Sequence, residues 1–244
     1  MLKLSDYDGR YVRIEDVDGS VFSGRAEYAG SEFLECEYGG NEDGMFIEDV
    51  LIRRSRIRTV EETEVHGTAE LWTENLILRR YRTEDAEALY EKLGTDPDMA
   101  RYSGWNPYAT QGLAQETVRR FMASYEEAHA YSWVIDVDGL VVGTIGAYDY
   151  AEDQIEVGFS VARTWRGRGF ATEALRKVLK YLTENEGISC VTAWCAGENA
   201  ASRSVMEKAG MHRVRTEKDG LRVGDRVYDR QIYEYRPAGR GPQA

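Results

Sequence analysis

The chain has 244 residues, of which 42% are hydrophobic and 30% charged, a composition typical of a folded protein with a real core. Its formal net charge of −12 disfavours broad binding to nucleic acid or to an anionic membrane and suits cationic partners. The N-terminus lacks the apolar segment of a secretory signal, and no apolar run is long enough to span a bilayer. Three scattered cysteines favour a reduced cytoplasmic setting. Because the histidines are dispersed as well, no metal site is predicted.

Residues 11–60 alternate over short spans that are broken by glycines. Strands are predicted at residues 11–15 and 21–23, around an Asp18-Gly19 turn, and again at residues 32–36, 45–47 and 57–60. Because helical periodicity is absent after the first few residues, this stretch is predicted to be a small all-β barrel of about five strands. Residues 1–66 carry 8 basic and 16 acidic side chains.

Two segments of this stretch resemble the motifs of Sm-like proteins. Residues 12–24, with Gly19 and Gly24 five apart, resemble the first motif, and residues 51–60 resemble the second, with Arg54 where that family usually has glycine. The resemblance implies an Sm-like barrel over residues 1–66, and such barrels often bind RNA through the second motif. That motif contains four arginines, namely Arg53, Arg54, Arg56 and Arg58. A solvated arginine-rich strand is the favoured interpretation, since the stretch is acidic and lacks a stacking aromatic beside the arginines.

After a charged hinge at residues 61–67, predicted strands and helices alternate. Strands are predicted at residues 76–81, 132–137, 141–146, 155–161, 191–195 and 227–235. Four helices are predicted. The first has Thr83 as its N-cap, the second covers residues 113–129, the third follows Gly169 and has a clean apolar stripe, and the fourth covers residues 202–209. Residues 237–244 are predicted to be a disordered tail.

A glycine-rich run at residues 166–171 joins a predicted strand to the helix with the apolar stripe. Such a junction presents backbone N–H groups and the positive end of the helix dipole, which favours an anion. The run lacks the third small residue of a dinucleotide fingerprint, because Thr172 stands there, and it lacks the G-K-[ST] of a P-loop. Taken alone, a tight turn without a ligand is as good an interpretation.

Four stretches in the same order and spacing resemble the GNAT superfamily of acyl-CoA-dependent N-acetyltransferases, in particular its RimJ/RimL branch. They are residues 73–79 with Asp85-Ala86, residues 155–159, residues 165–175, and residues 198–202 with 207–211. The resemblance implies an α+β GNAT fold, with a mixed, mostly antiparallel sheet flanked by helices, over residues 67–236. It also implies acetyl-CoA as cosubstrate. It leaves a homodimer open.

The resemblance further implies which residues bind acetyl-CoA. Backbone N–H groups of the glycine-rich run would hold the pyrophosphate, the main chain of the splayed central strand would pair with the pantetheine, and an asparagine would bind the same arm. In this chain these residues are Phe159, Val161, Arg166, Gly167, Arg168, Gly169, Phe170, Ala171 and Asn199. Side chains of the two arginines could add charge at phosphate oxygens. Gly158 is expected to permit the β-bulge at which the strand splays.

Acyl transfer to an amine needs a general base for the amine and a proton for the departing thiolate. Glu156, just before the expected bulge, is the first candidate base and Asp149 the second, whereas Glu173 is expected to be structural. Many GNAT enzymes have a tyrosine acid seven residues beyond the asparagine, but here that residue is Met206. The RimJ/RimL branch often has a serine three beyond the asparagine, which makes Ser202 the candidate acid.

The sequence thus predicts an acetyltransferase that acts on a primary amine by direct attack in a ternary complex. The acceptor is left open: it is either a protein N-terminus, such as that of a ribosomal protein, or a polyamine, an aminoglycoside or another cationic small molecule. The resemblance implies that the loop with Tyr102, Trp105 and Tyr108 borders the acceptor site, and a place in the core or in a dimer contact is an equally good interpretation of these aromatics. The alternative is a non-catalytic acetyl-CoA-binding protein, or an RNA- or protein-binding module that uses the barrel, which the replacement of tyrosine by Met206 mildly favours.

Overall fold

The structure, a computed structural model, describes residues 3–47, 50–62, 67–127 and 129–237. Backbone contacts divide the chain into two compact units, Met1–Val65 and His66–Ala244. The predicted tail, apart from Pro237, and residues 63–66 of the predicted hinge lie outside the described residues. Within the described ranges, no helix is long and apolar enough to cross a lipid bilayer.

Besides two short 3-10 helices at Leu4–Tyr7 and Arg54–Arg56, the described part of the first unit contains five strands and one α-helix. They are β1 (Tyr11–Asp16), β2 (Val21–Ala29), α1 (Ser31–Tyr38), β3 (Gly44–Ile47), β4 (Val50–Arg53) and β5 (Ile57–Glu62). The strands form one antiparallel sheet in the order β4-β3-β2-β1-β5. Alternate residues Val12 and Ile14 are fully buried together with Leu4 and Met45, so one face of the sheet carries the core. The Sm-like barrel itself stays a prediction.

One strand of the sequence-based prediction is wrong, because residues 32–36 lie in α1. The apolar residues of this segment, Phe33, Leu34 and Cys36, led to the strand prediction, but only Leu34 is buried. The intervening glutamates are good helix formers, and Gly39, with φ of +68°, ends the helix in a backbone conformation that glycine adopts easily. The remaining strand of the sheet is β4. The sequence analysis assigned residues 51–60 to the second Sm-like motif and did not predict a separate strand at its start.

The second unit contains the following α-helices and strands among its described residues. They are β6 (Leu71–Trp72), β7 (Ile77–Arg79), α2 (Asp85–Leu89), α3 (Gln111–Ala123), β8 (Tyr131–Val137), β9 (Leu140–Ala151), β10 (Gln154–Val161), α4 (Phe170–Glu184), β11 (Cys190–Ala196), α5 (Ala200–Lys208), β12 (His212–Val223) and β13 (Arg226–Tyr235). The strands form an eight-stranded sheet in the order β12-β13-β11-β10-β9-β8-β7-β6. Only β10 and β11 run parallel among these neighbours.

Helices cover both faces of this sheet. On β8, Trp133 contacts Tyr181 of α4, whereas the next residue, Val134, belongs to a core cluster with Leu89 of α2 and Val118 of α3. Because successive side chains of a strand point to opposite faces, α4 lies on one face and α2 and α3 on the other. The predicted class of an α+β fold with a mostly antiparallel sheet flanked by helices is therefore confirmed for this unit.

A buried ionic cluster fixes the start of the unit. The guanidinium of Arg79 forms two hydrogen bonds with Asp85, of 2.8 and 2.9 Å, and a third of 2.8 Å with Asp136. Thr83 is not the N-cap of α2, contrary to the prediction, because the helix starts one residue later and Glu84 precedes it without a side-chain cap. Asp85 instead accepts from the backbone N–H of Arg82, so its charge serves both the helix start and the ion pair.

Candidate active site

The central sheet opens between its two parallel strands. β10 pairs with β11 only at three positions, from Gln154 with Cys190 to Glu156 with Thr192, and the strands do not pair beyond them. On the other side of β10, the N–H of Ala162 donates to β9 at 2.8 Å. Because main-chain groups of a strand alternate in direction, those of Phe159 and Val161 point to the open side, and the Val161 carbonyl accepts from Arg166 there.

Gly158 does not form the bulge that the sequence predicts. The register between β9 and β10 shifts between Gln154 and Glu156, where Asp149 on the facing strand has a φ of +55°. Gly158 pairs regularly with Gly146. Its lack of a side chain has another reason, since a Cβ atom there would lie 2.6 Å from the hydroxyl oxygen of Tyr148. The tyrosine therefore lies against the backbone of β10.

The glycine-rich turn presents a row of free N–H groups. Across the described chain, the backbone N–H groups of residues 167–172 donate to no protein acceptor. Gly169 has a φ of +89° and lies at the N-cap of α4, with nothing within 4 Å of where a Cβ would stand. These N–H groups and the α4 dipole favour an anion at this point. The predicted residues Gly167, Phe170 and Ala171 lie in this turn.

The two arginines of the turn have different environments. Arg166 pairs with the buried carboxylate of Asp96, and its Nε donates to the Val161 carbonyl at 3.0 Å. Its guanidinium therefore ties the turn to a loop 70 residues earlier, and the addition of its charge at a phosphate stays a prediction. Arg168 lies 4.7 Å over the ring of Trp165 and is exposed, so its charge stays accessible to an anion.

Glu156 is the carboxylate at the mouth of the opening. Its Oε1 accepts from the indole Nε1 of Trp194 at 2.8 Å, and its Oε2 lies 3.7 Å from the guanidinium of Arg230. Arg230 in turn stacks over the Trp194 ring at 4.8 Å. Burial raises the pKa of Glu156 above its ordinary value, against the opposite effect of the Trp194 hydrogen bond and the Arg230 charge. A partly buried carboxylate of this kind is suited to accept a proton near neutral pH.

Tyr148 stands directly across from Glu156 in the β9–β10 pair. Although Tyr148 is 44% exposed, burial of its hydroxyl end against β10, followed by the neighbouring charge of Glu156, raises its pKa to about 12. The phenol therefore stays protonated at neutral pH. Asp149, the second candidate base, follows Tyr148 in the chain, and its negative charge contributes to the raised pKa of Glu156. Neither Tyr148 nor the pair of Trp194 and Arg230 was singled out from the sequence, because their proximity to Glu156 depends on sheet register.

The start of α5 holds the remaining predicted residues. The side-chain oxygen of Asn199 accepts from the backbone N–H of Ser202 at 3.1 Å, so Asn199 is the N-cap of the helix. Ser202 lies in the first helical turn. Met206, where many GNAT enzymes have tyrosine, is fully buried. Glu173 has a structural contact, since its carboxylate accepts from the backbone and side-chain amides of Asn75 at 2.9 and 3.1 Å.

A single cavity of about 1000 Å³ brings these groups together within the second unit. Its wall includes Glu156, Ser202 and every predicted cofactor-binding residue except Arg168, whereas the second candidate base, Asp149, does not line it. Cys195 also lies in the wall, but burial raises the pKa of its thiol to about 11, so it is a weak nucleophile. In the described ranges, no group of three or more His, Cys, Asp and Glu side chains is arranged to hold a metal ion.

Comparison with known proteins gives this cavity a family context. Residues 75–212 match the family model described as "Acetyltransferase (GNAT) domain". The chain is 29% identical over 168 residues to the uncharacterised N-acetyltransferase YoaA of Bacillus subtilis (strain 168), which covers 67% of this chain and 94% of that protein.

Solved structures show the same fold. A GNAT-family acetyltransferase from Bacillus anthracis matches with a TM-score of 0.62 at 26% identity, over 68% of this chain and 98% of that one. RimL, a ribosomal L7/L12 α-N-protein acetyltransferase solved with coenzyme A, matches with a TM-score of 0.63 at 16% identity, over 68% and 97% of the two chains. At that identity, RimL supports the fold alone.

Proposed function

This chain is a member of the GNAT family of acyl-CoA N-acetyltransferases, and on that premise we propose that it acetylates a primary amine by direct attack in a ternary complex. One observation carries the proposal. The unpaired edge of β10, the free N–H groups before α4 and the carboxylate of Glu156 line the same cavity. An anion site, a strand edge and a base are what acetyl transfer from acetyl-CoA to an amine requires.

The cosubstrate side of the cavity consists of the turn before α4 and the open edge of β10. The N–H groups of residues 167–172 suit the pyrophosphate of acetyl-CoA. Main-chain groups of Phe159 and Val161 suit the amides of the pantetheine arm, which would add to the sheet like a short strand. Asn199 uses its oxygen for the helix cap, which leaves its NH₂ group to donate to the same arm.

The reaction forms a C–N bond and breaks the C–S bond of the thioester. Glu156 takes the proton of the attacking amine, directly or through water, and a main-chain N–H at the open edge of β10 stabilises the oxyanion. Ser202 supplies the proton to the departing thiolate and regains one from water, while Glu156 releases the amine proton to water. Cys195 takes no part as an acyl carrier, because its thiol is protonated at neutral pH.

The acceptor in this proposal is either a protein N-terminus or a small amine. RimL, which shares the fold, acts on the N-terminus of a ribosomal protein. A non-catalytic acetyl-CoA-binding role is the second candidate, since the buried Met206 supplies no proton. The four arginines of the second Sm-like motif do not favour an RNA-binding role. Each is hydrogen-bonded within the first unit: Arg53 to carbonyls, Arg54 to Asp43, Arg56 to Asp16 and Asp18, and Arg58 to Glu15.

Thiol release from acetyl-CoA, measured over a panel of amines, tests the proposal. The panel should contain peptides with free N-termini, a polyamine, an aminoglycoside and small monoamines. We expect acetyl-CoA to be consumed in proportion to acetylated product, and Glu156→Gln to lower kcat at least a hundredfold. Tight binding of acetyl-CoA without turnover of any amine would favour the non-catalytic role instead.

A further inference from the structure

Two exposed aromatic rings line the cavity. Trp105 is 57% exposed and Tyr148 is 44% exposed, and both belong to the cavity wall. Within the described residues, neither ring pairs with another aromatic side chain. Other aromatics of the same wall do have such partners, since Phe121 stacks on Tyr81 and Tyr102 contacts Tyr228 edge-on. Large rings left open in a pocket are typical of a site for an apolar or aromatic ligand group.

Tyr148 stands close to the expected place of the reacting nitrogen. It faces Glu156 across the β9–β10 pair, and side chains that face each other in this way have Cβ atoms about 4.5–5.5 Å apart. Its ring also extends over Gly158, as the 2.6 Å approach to the Cβ position of that residue requires. An amine that delivers its proton to Glu156 would therefore place its next few atoms against the Tyr148 ring.

The charges of the wall do not suit a polycation. Six charged side chains line the cavity, three acidic and three basic: Asp98, Glu156 and Glu198, and Arg101, Arg166 and Lys208. Asp98 lies 3.9 Å from Arg101 and 3.8 Å from Arg166, and Glu156 lies 3.7 Å from Arg230. Although the whole chain is strongly acidic, this wall has no surplus of carboxylates for a second or third ammonium group.

We propose that the acceptor is a monoamine with an aromatic or bulky apolar group next to its amine, and that Trp105 and Tyr148 bind this group. The proposal rests on the acetyltransferase function above and names its substrate class. The same chemistry occurs in a free arylalkylamine and in a peptide whose first residue is aromatic. It excludes polyamines and aminoglycosides as preferred acceptors, which the net charge of the chain alone would favour.

Steady-state kinetics with four acceptors test the proposal. Phenethylamine is compared with spermidine, and a peptide that begins with Phe is compared with the same peptide beginning with Ser. We expect kcat/KM to be at least tenfold higher for the aromatic member of one or both pairs, and the pair with the larger ratio identifies the source. Absence of a preference for the aromatic member in both pairs, or turnover only of other amines of the wider panel, would overturn the proposal while leaving acetyl transfer intact. Consumption of none of the four, together with no turnover of the wider panel, would instead overturn the proposed function.

Trp105→Ala tests the binding role directly. We expect KM for the preferred aromatic acceptor to rise about tenfold, with kcat and the affinity for acetyl-CoA changed less than twofold. Trp72→Ala is the matched control, because Trp72 is 45% exposed and lies outside the cavity wall. An unchanged KM in Trp105→Ala, in a protein whose Tm and acetyl-CoA affinity are preserved, would overturn the role of this ring.

Discussion

The hydrogen bond from Trp194 to Glu156 should set the pH dependence of the reaction. Trp194→Phe keeps an aromatic ring under Arg230 but removes the N–H that donates to the carboxylate at 2.8 Å. This donor stabilises the ionised form of Glu156 and so lowers its pKa, while burial raises it. Without this donor, only contacts such as the Arg230 charge still lower the pKa of Glu156 against the effect of burial. The carboxyl group should therefore hold its proton to a higher pH.

The size of the effect follows from the contact. A hydrogen bond to a charged group contributes roughly 1.5–3 kcal/mol, and 1.36 kcal/mol corresponds to one pH unit. Because the Glu156 side chain is 23% exposed, water replaces part of the lost contact, and the lower end applies. We therefore expect the ascending limb of kcat/KM against pH to move upward by about one pH unit in Trp194→Phe.

The assay is thiol release with one amine across pH 5 to 10. Deprotonation of the amine itself is identical for both enzymes, so the difference between the two profiles isolates the group on the protein. Trp72→Phe, an exposed tryptophan outside the cavity, should leave the profile unchanged. Superimposable profiles for wild type and Trp194→Phe would refute the assignment of Glu156 as the base. So would persistence in Glu156→Gln of the limb that Trp194→Phe moves.

Ser202→Ala should lower kcat about a hundredfold while calorimetry shows unchanged acetyl-CoA affinity, and undiminished turnover would remove Ser202 as the acid. Gly169→Glu should weaken acetyl-CoA binding at least tenfold by calorimetry, because a carboxylate would stand beside the free N–H groups, and wild-type affinity would refute a pyrophosphate site there. Asp85→Asn should lower the free energy of unfolding by about 3 kcal/mol in urea titrations, since it leaves the buried Arg79 charge poorly paired. Glu184→Gln is the control for Asp85→Asn. It removes an exposed ion pair between Glu184 and Lys180 and should leave the unfolding midpoint unchanged.

Most of the second unit could be predicted because its signals are local. The Asp138-Gly139 hairpin, the strand before the glycines and the striped helix after them each follow from a short period or a turn signal, and the structure has all three. β12 was missed because its twelve residues are largely exposed and carry little apolar alternation. Its pairing with β13 is a tertiary effect that local patterns do not report.

The site was less predictable for the same reason. The residues of the glycine-rich turn, Glu156 and Asn199 could be named, because each belongs to a contiguous motif. The partner of Arg166 is Asp96, 70 residues away, and the partners of Glu156 are Trp194 and Arg230 on two other strands. Such contacts depend on strand order and register, which sequence patterns alone do not fix. The bulge was misplaced for this reason too, since glycine permits a bulge but the facing strand decides where it forms.

The topology explains why the anion site and the open strand edge occur together. Neighbouring parallel strands cannot be joined by a tight hairpin, so β10 and β11 need a crossover, and α4 is that crossover. The N-terminus of α4 therefore stands at the carboxyl end of β10, which is also the end where β10 and β11 stop pairing. Ligands of open α/β sheets bind at such carboxyl ends for the same geometrical reason. Residues 166–171 thus acquire their proposed role from the one parallel step among the described strands of this sheet. A glycine-rich turn at a hairpin of the same sheet would have neither the helix dipole nor the free strand edge beside it.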